Sequence, residues 1–261
     1  MSIGDRAIDR VERKQRHAEE ERQERREEQF QVLEEVFDKS TLMVVYALLN
    51  KGVIQKLQGV IKSGKESRIY VGIGPNNESL AVKIYLTVSA EFKRGMIPYI
   101  EGDPRFREVK HDSKSLVYTW AQKEFKNLMK AGEAGIRVPK PVVVEKNVLV
   151  MEFIGTDGVA APTLKDIIPS NPKTIYRTLL ADVKMLYRKA GMVHGDLSEY
   201  NVMIQDGKPV IFDMGQSVLV GHPLAHELLQ RDIKNLNSYF AKLGIETKDT
   251  NQLTSWVTGH E

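Results

Sequence analysis

Residues Met192–Gly215 read M-V-H-G-D-L-S-E-Y-N-V-M-I-Q-D-G-K-P-V-I-F-D-M-G. Asn201 opens an apolar run, Val202-Met203-Ile204, and a second run, Val210-Ile211-Phe212, ends at Asp213. Between the runs stands Asp206-Gly207, a pair that favours a tight hairpin turn because both residues tolerate positive φ. Folding the runs back about that turn brings Asn201 and Asp213 to the same end of the hairpin. An amide oxygen and a carboxylate set side by side suit Mg²⁺, which takes few protein ligands and shares the rest with phosphates and water. Asp196, just before the hairpin, is then placed to face a nucleophile approaching a phosphate. A surface hairpin with polar ends would explain any one of these residues. The ordered set H-G-D-x-x-x-x-N, hairpin, D-x-G is much harder to reach by chance.

The chain has 261 residues, enough for one large domain or two small ones that share a cleft. At 41% hydrophobic and 28% charged its composition is that of a globular protein. No run approaches the roughly 20 apolar residues of a membrane-spanning helix, so no membrane association is expected. The first residues lead directly into charged sequence without the apolar core of a secretory signal. Cysteine is absent, which removes disulfides and thiolate metal sites and fits a cytoplasmic location. The net charge of +3 permits contact with nucleic acid without arguing for it.

Residues 1–39 form a charged extension with acid-first pairs four apart, such as Asp9 with Arg13 and Glu21 with Arg25, the spacing of a solvated helix. Ser40 is the expected cap of a helix carrying Leu42, Val45, Leu48 and Leu49. Residues 59–72 read as strand, glycine turn, strand. Gly64 permits close backbone approach, Ser63 and Ser67 offer hydroxyls and Lys65 a charge, although a single glycine also makes an ordinary hairpin. In Ser79–Tyr85, alternation puts Leu80, Val82 and Ile84 on one face and Ala81, Lys83 and Tyr85 on the other. A mid-strand lysine needs a partner or a ligand unless the strand is an exposed edge. Residues 86–112 read as a polar, irregular, flexible loop containing Gly95, Pro98, Gly102 and Pro104. Ser113 is the expected cap of a helix through Gly132, on which Glu124 interrupts the apolar stripe Val117, Ala121, Leu128. That carboxylate either pairs with a cation such as Lys83 or lies solvated on the stripe's flank. A further hairpin ends in Met151-Glu152-Phe153-Ile154, followed by a glycine-containing link that could offer backbone groups to an adenine edge. Asn171-Pro172 starts a helix, and Pro223 starts a last one through Phe240 bearing Arg231 and Asp232.

Glycine turn, mid-strand lysine, helix with inward glutamate, hinge, H-G-D-x-x-x-x-N and D-x-G are the parts of a protein-kinase-type phosphoryl-transfer enzyme. On S-G-K-E-S (63–67), A-V-K-I-Y (81–85), W-A-Q-K-E-F-K-N-L (120–128), M-E-F-I-G (151–155), H-G-D-L-S-E-Y-N (194–201) and D-M-G-Q (213–216), the chain resembles a RIO kinase of the RIO-one branch over roughly residues 40–243. The resemblance implies an α+β, two-lobed protein-kinase-like fold. An N-lobe of antiparallel sheet plus helix (40–154, with the loop at 86–112) would follow the extension, and a reduced, mainly helical C-lobe (155–261) would complete it. It also implies that Lys83, oriented by Glu124, holds the α- and β-phosphates of ATP, and that Ser63, Lys65 and Ser67 contact phosphates. Glu152 and Ile154 would meet adenine beside Met151. Asp196 would take the proton of the attacking hydroxyl, and Asn201 and Asp213 would hold Mg²⁺, with Mn²⁺ as an alternative. In this family the counterpart of Asp213 is thought to accept the γ-phosphate transiently, and the family acts in maturation of the small ribosomal subunit. The implied partners are therefore ATP and a pre-small-subunit particle of protein and rRNA. Many members carry Ala where Gly195 stands, which reads as a small change.

H-G-D lacks the arginine that pairs with a phosphorylated activation loop, and the short segment after Asp213 contains no A-P-E. An activation segment, a peptide-docking subdomain and, before the kinase domain, a winged helix are not expected. Autophosphorylation is expected among Thr87, Ser89, Ser113 and Ser115, with Ser113 the first choice. A small-molecule phosphotransferase of the aminoglycoside kind shares H-G-D-x-x-x-x-N but calls for an acidic helical pocket. An assembly factor in which ATP only sets conformation is the third reading.

Overall fold

The computed structural model describes residues 37–86, 90–106 and 112–259. The charged extension up to residue 36, together with Thr87, Ser89 and Arg107, lies outside the described residues. The first described helix, α1 (Lys39–Asn50), precedes strands β1 (Lys56–Ser63), β2 (Ser67–Ile73) and β3 (Ser79–Tyr85). Helix α2 (Ala90–Ile100), a 3₁₀ turn (Pro104–Phe106) and helix α3 (Ser113–Glu133) follow, then β4 (Pro141–Glu145) and β5 (Val148–Glu152). These strands make one antiparallel sheet in the order β1-β2-β3-β5-β4. A small hairpin of β6 (Gly155–Thr156) and β7 (Val159–Ala160) leads into the helical half. That half contains α4 (Pro172–Arg188), β8 (Met192–Val193), the hairpin β9 (Val202–Gln205) and β10 (Lys208–Ile211), and a 3₁₀ turn (Met214–Gln216). Strand β11 (Val218–Leu219) and helices α5 (Ala225–Lys242) and α6 (Thr250–Thr258) close it. The result is the two-lobed α+β arrangement that the sequence resemblance implies.

Alternation in β3 decides how the sheet is covered. Leu80, Val82 and Ile84 join Val44, Val45 and Leu48 of α1 in one buried cluster, whereas Ala81 and Tyr85 join Val117, Ala121 and Leu128 of α3 in the other. Each fully buried aliphatic side chain of this kind contributes about 1.5–3 kcal/mol, so α1 and α3 are held by apolar contact on opposite faces. Lys83 therefore points toward α3. Because β3 lies between β2 and β5 it is no edge strand, and Lys83 is 5% exposed. Asn147 ties α1 to the sheet by donating to Thr41 Oγ1 at 2.9 Å and to the Tyr85 carbonyl at 2.8 Å.

Several local expectations need correction. The stretch 86–112 is not irregular throughout, because α2 occupies Ala90–Ile100 despite Gly95 and Pro98. Met96 and Ile100, four apart, are buried in the main core, and that burial outweighs the weak helix propensity of Gly and Pro. Helix α1 is capped by Asp38, whose carboxylate accepts from Thr41 N at 2.9 Å, and α3 by Asp112, which accepts from Lys114 N and Ser115 N. Ser40 and Ser113 stand inside the first turns instead, since a carboxylate is the stronger acceptor at the positive end of a helix. Helix α5 begins at Ala225 and is not the last: α6 follows, capped by Asp249 and packed on α4 and α5.

Helix α4 carries a buried carboxyl. Asp182 is 7% exposed, among Leu179, Val183 and Leu186, and burial pushes its carboxyl up to about 7 against the pull of Arg137. A carboxyl whose folded value exceeds its ordinary value of 3.8 contributes stability that is complete below that value and lost as pH rises through 7. Asp182→Asn removes this loss. Denaturant titrations should show the variant gaining on the parent by on the order of 4 kcal/mol between pH 4 and pH 8, and a pH-independent difference would contradict it.

Candidate active site

The hairpin forms as its sequence predicts. Residues pair from Lys208 with Gln205 to Ile211 with Val202, and the turn places Asp206 at φ 53 and Gly207 at φ 69, the two positive angles of a type I′ turn. The ladder continues one step, with Phe212 N donating to the Asn201 carbonyl at 3.1 Å, so Asn201 and Asp213 emerge at the same end. Asp213 itself is left-handed at φ 61 and ψ 60, a conformation rare for residues other than glycine and frequent at functional positions.

Asp213 meets Lys83 across the lobes. The Lys83 ammonium donates to Glu124 Oε1 and Oε2 at 2.9 and 2.8 Å and to Asp213 Oδ1 at 2.9 Å. Glu124 is fully buried rather than solvated, and half of the Asp213 side chain (49%) remains open to solvent. Burial opposes the charge on Lys83, but the carboxylates of Asp213 and Glu124 outweigh it and hold the ammonium well above the lysine range. Burial also opposes charge on Asp213, and Lys83 reverses it, so the Asp213 carboxyl sits below its ordinary value. Burial pushes Glu124 up to about 7 against Lys83. Both values rise, which favours the charged form of Lys83 and disfavours that of Glu124. A lysine held protonated and bonded to both Glu124 oxygens makes the ion pair the resting state at neutral pH.

The loop carrying Asp196 is held by side-chain amides. Asn201 donates its amide to the Asp196 carbonyl at 2.8 Å and to Oδ2 at 3.2 Å, and Gln216 Nε2 reaches the same Oδ2 at 3.3 Å. Burial, then the neighbouring Asp213 charge, raises the Asp196 carboxyl, with Arg231 and Asn201 acting against them. His194 accepts from Asp196 N at its Nδ1 and faces the Phe212 carbonyl with Nε2, which assigns the proton to Nε2. Burial lowers the imidazole to about 4, so it is neutral at physiological pH. Gly195 is at φ 83, and a Cβ there would meet the Gln216 carbonyl at 3.0 Å. In this backbone an alanine at Gly195 is strained, not a small change.

Helix α5 holds the loop from beneath. Asp232, 1% exposed, accepts Gly195 N and Leu197 N, each at 2.8 Å. Arg231 donates to the Gly195 carbonyl and Asn235 to the Leu197 carbonyl. Burial pushes the Asp232 carboxyl up to about 7, with the two N–H groups pulling the other way. Each oxygen accepts one N–H, so the site is built for the ionised form. The sequence showed Arg231 and Asp232 without a role, because their partners are backbone groups far away in the chain.

The other expected residues fall into place with less contact. Ser63, the last residue of β1, and Lys65, in the turn that follows, are exposed, and Gly64 N donates to the Ser67 carbonyl at 2.9 Å. Glu66, a turn residue without an expected role, feels Asp213, Lys83 and Asp196; burial, then Asp213, raises its carboxyl. Met151 is buried opposite Ala81 in the sheet, with Glu152 opposite Leu80. Among the described residues no cluster of three or more His, Cys, Asp or Glu is arranged for a metal ion. Two hard oxygen donors, Asn201 and Asp213, fit Mg²⁺, which needs no protein cage. Because the Asn201 nitrogen is committed to Asp196, its oxygen is the atom left for a cation.

The family model for the RIO domain matches residues 68–253, which include Lys83, Glu124, the H-G-D-x-x-x-x-N loop and D-x-G. The chain belongs to the RIO family of atypical serine/threonine kinases. It is 43% identical over 234 residues to the RIO-type serine/threonine-protein kinase Rio1 of Haloferax volcanii, covering 90% of this chain and 80% of that one. To the protein of that name in Methanocaldococcus jannaschii it is 38% identical, covering 90% and 79%. The Rio2 kinase of Chaetomium thermophilum, solved as an ADP/Mg²⁺-phosphoaspartate complex, superposes with a TM-score of 0.64 over 83% of this chain and 66% of that one. At 22% identity that likeness establishes the RIO kinase fold alone. Among the described residues of this RIO-family chain, no helix is long and apolar enough to cross a membrane.

Asp232→Asn keeps one acceptor and turns an amide N–H toward the other backbone N–H. Leaving a buried donor unpaired costs about 1–3 kcal/mol, so the variant should unfold at lower denaturant and turn over more slowly. Parental stability and turnover in the variant would show that the loop does not hang on α5.

Proposed function

We propose that the chain is a Mg-ATP-dependent serine/threonine kinase and ATPase that acts on pre-small-subunit ribosomal particles in the cytoplasm. The observation that carries the enzymatic part is Lys83, buried and shared between Glu124 and Asp213, with Asp196 and Asn201 on the adjoining loop. Lys83 gives ATP phosphates a fixed cation, and Glu124 prevents it from collapsing onto Asp213 alone. Ser63, Lys65 and Ser67 cover the phosphates from the turn. At the hinge, Glu152 uses its N–H on the Lys140 carbonyl and Ile154 its carbonyl on Ala161 N. The adenine reading calls on the opposite group of each residue, Glu152 C=O and Ile154 N–H, beside Met151. Asn201 and Asp213 would hold Mg²⁺, which when bound neutralises phosphate charge and polarises the phosphoryl oxygens. Asp196, ionised and oriented by Asn201 and Gln216, takes the proton of the attacking hydroxyl or water. The ribosomal and cytoplasmic assignments rest on the family resemblance.

A second route is favoured by one feature of Asp213. Its carboxylate is half open to solvent while Lys83 holds one oxygen, which leaves the other able to attack. In that route an Asp213 oxygen bonds the γ-phosphorus as the bridge to ADP breaks, and water or a hydroxyl then takes the phosphoryl group and frees the carboxylate. The Rio2 kinase captured as a phosphoaspartate supports it by analogy.

Mg-ATP hydrolysis and phosphate incorporation, with and without small-subunit particles, test the reading. Asp196→Ala and Asp213→Ala should each lower turnover about 10²- to 10⁴-fold, and absence of turnover in the parent under both conditions would sink the proposal. Phosphopeptide mass spectrometry tests autophosphorylation. The Ser115 hydroxyl is bonded to Asp112 Oδ2 at 2.6 Å, which favours Ser113, and a parent incubated with Mg-ATP that lacks phosphate on Ser113 would contradict the choice.

A further inference from the structure

One face of α3 touches the D-M-G-Q-S segment at every turn. Trp120, Lys123, Glu124 and Asn127 stand at i, i+3, i+4 and i+7, which puts them in one row along the helix. Asn127 Nδ2 donates to the Met214 carbonyl at 2.8 Å and to the Ser217 carbonyl at 3.1 Å. Lys123 Nζ donates to the Gly215 carbonyl at 2.9 Å and to the Ser217 carbonyl as well. Glu124 accepts the Met214 N–H while holding Lys83. Trp120 lies so close to Gly215 that a Cβ there would meet its Nε1 at 2.8 Å. The row thus takes up the carbonyls of Met214, Gly215 and Ser217 and leaves room for no side chain at the glycine.

Lys123 and Asn127 are both fully buried. A buried ammonium is costly, and an apolar side chain of similar length would fill the space without that cost. The acidic neighbour of Lys123, Asp103, is committed to Arg105 by bonds of 2.7 to 3.2 Å. Burial, then Arg105, lowers the Lys123 amine to about 7, and its N–H groups are spent on backbone carbonyls that follow Asp213; those bonds fix the turn that Asp213 enters in a left-handed conformation. We propose that Lys123 and Asn127 are positioning residues that set the Asp213 carboxylate and lock α3 to the D-M-G-Q-S segment in one arrangement. Displacing α3 would break the bonds from Lys123, Glu124 and Asn127 together, so the Lys83–Glu124 pair and Asp213 are placed as one unit. The inference rests on the role proposed for Asp213 and extends it to residues that touch neither ATP nor its phosphates.

The test compares Lys123→Met, Asn127→Leu and Asn127→Ser with the parent and with Leu128→Ala, a cavity in the same helix at a side chain that makes no hydrogen bond to the segment. Steady-state Mg-ATP hydrolysis should show kcat lower by roughly 10- to 100-fold in the clamp variants with KM for ATP within about threefold. Leu128→Ala should lower the melting temperature and keep kcat within about threefold of the parent. Amide hydrogen exchange at Ser217, whose N–H bonds the Met214 carbonyl, should accelerate at least about tenfold in the clamp variants and not in Leu128→Ala. Parental kcat in the clamp variants, or an equal loss in Leu128→Ala, would overturn the proposal. If Lys123→Met does not fold, Asn127→Ser decides, and failure of all three to fold would assign the row to core stability alone. If the parent hydrolyses no ATP, the enzymatic reading fails separately, and exchange at Ser217 still decides whether the clamp exists.

Discussion

The structure depends on a single cation held where cations are costly. Lys83 lies mid-strand in the centre of a sheet, and its ammonium is bonded to one carboxylate from each lobe. At an effective dielectric near 20 the buried contact with Glu124 is worth about 4 kcal/mol before desolvation is counted, and removing one partner of such a pair costs about 3–5 kcal/mol, while solvent screens the contact with half-exposed Asp213. Such an arrangement is tolerable only if both carboxylates are placed accurately. The demand therefore passes to the two elements that carry them, α3 for Glu124 and the hairpin end for Asp213.

Both placements are made through the backbone. The loop containing Asp196 hangs from Asp232, Arg231 and Asn235 of α5, which pair its N–H and C=O groups at Gly195 and Leu197. The segment after Asp213 hangs from α3 in the same manner, through Lys123 and Asn127. Buried backbone groups must be paired, so a loop of irregular φ and ψ in the core recruits side chains where a strand would use its neighbour. Two helices distant in sequence thereby become the supports of one small site, and the left-handed φ of Asp213 and the positive φ of Gly195 are held by the paired groups beside them.

What could be read in the sequence was what local chemistry specifies. Asp206-Gly207 fixes a hairpin because few residues accept two successive positive φ angles, and that geometry alone brought Asn201 beside Asp213. Alternation in Ser79–Tyr85 oriented Lys83, and a break in an apolar stripe exposed Glu124. The missed elements were those in which tertiary contact overrides local preference. Gly95 and Pro98 read as breakers, yet burial of Met96 and Ile100 makes 90–100 helical. Asp232, Gln216, Lys123 and Asn127 act on groups remote in the chain, and a charged residue on a helix looks the same in sequence whether it binds solvent or a buried carbonyl. The spacing of Lys123, Glu124 and Asn127 behind Trp120 was the available signal, since polar residues recurring at i+3, i+4 and i+7 mark a helix face with polar work to do.

The clamp bears on how such a centre can be controlled. In a kinase whose helix glutamate can leave the lysine, phosphorylation of an activation segment has something to switch. Here the 3₁₀ turn after Asp213 passes through β11 directly into α5, and α3 is tied to that turn by three polar side chains and by the packing of Trp120 on Gly215. Breaking those bonds together would expose a buried lysine, a buried glutamate and several carbonyls, a cost no single surface modification offsets. Regulation that acts on this centre must then act on access to it. The turn between β1 and β2 carries Glu66 toward Asp213, and the carboxylates of Glu66, Asp196 and Asp213 repel one another until cations balance them. On the function proposed above, a fixed centre with a mutually repelling rim would be completed by Mg-ATP, and nucleotide occupancy rather than helix position would be the variable open to control.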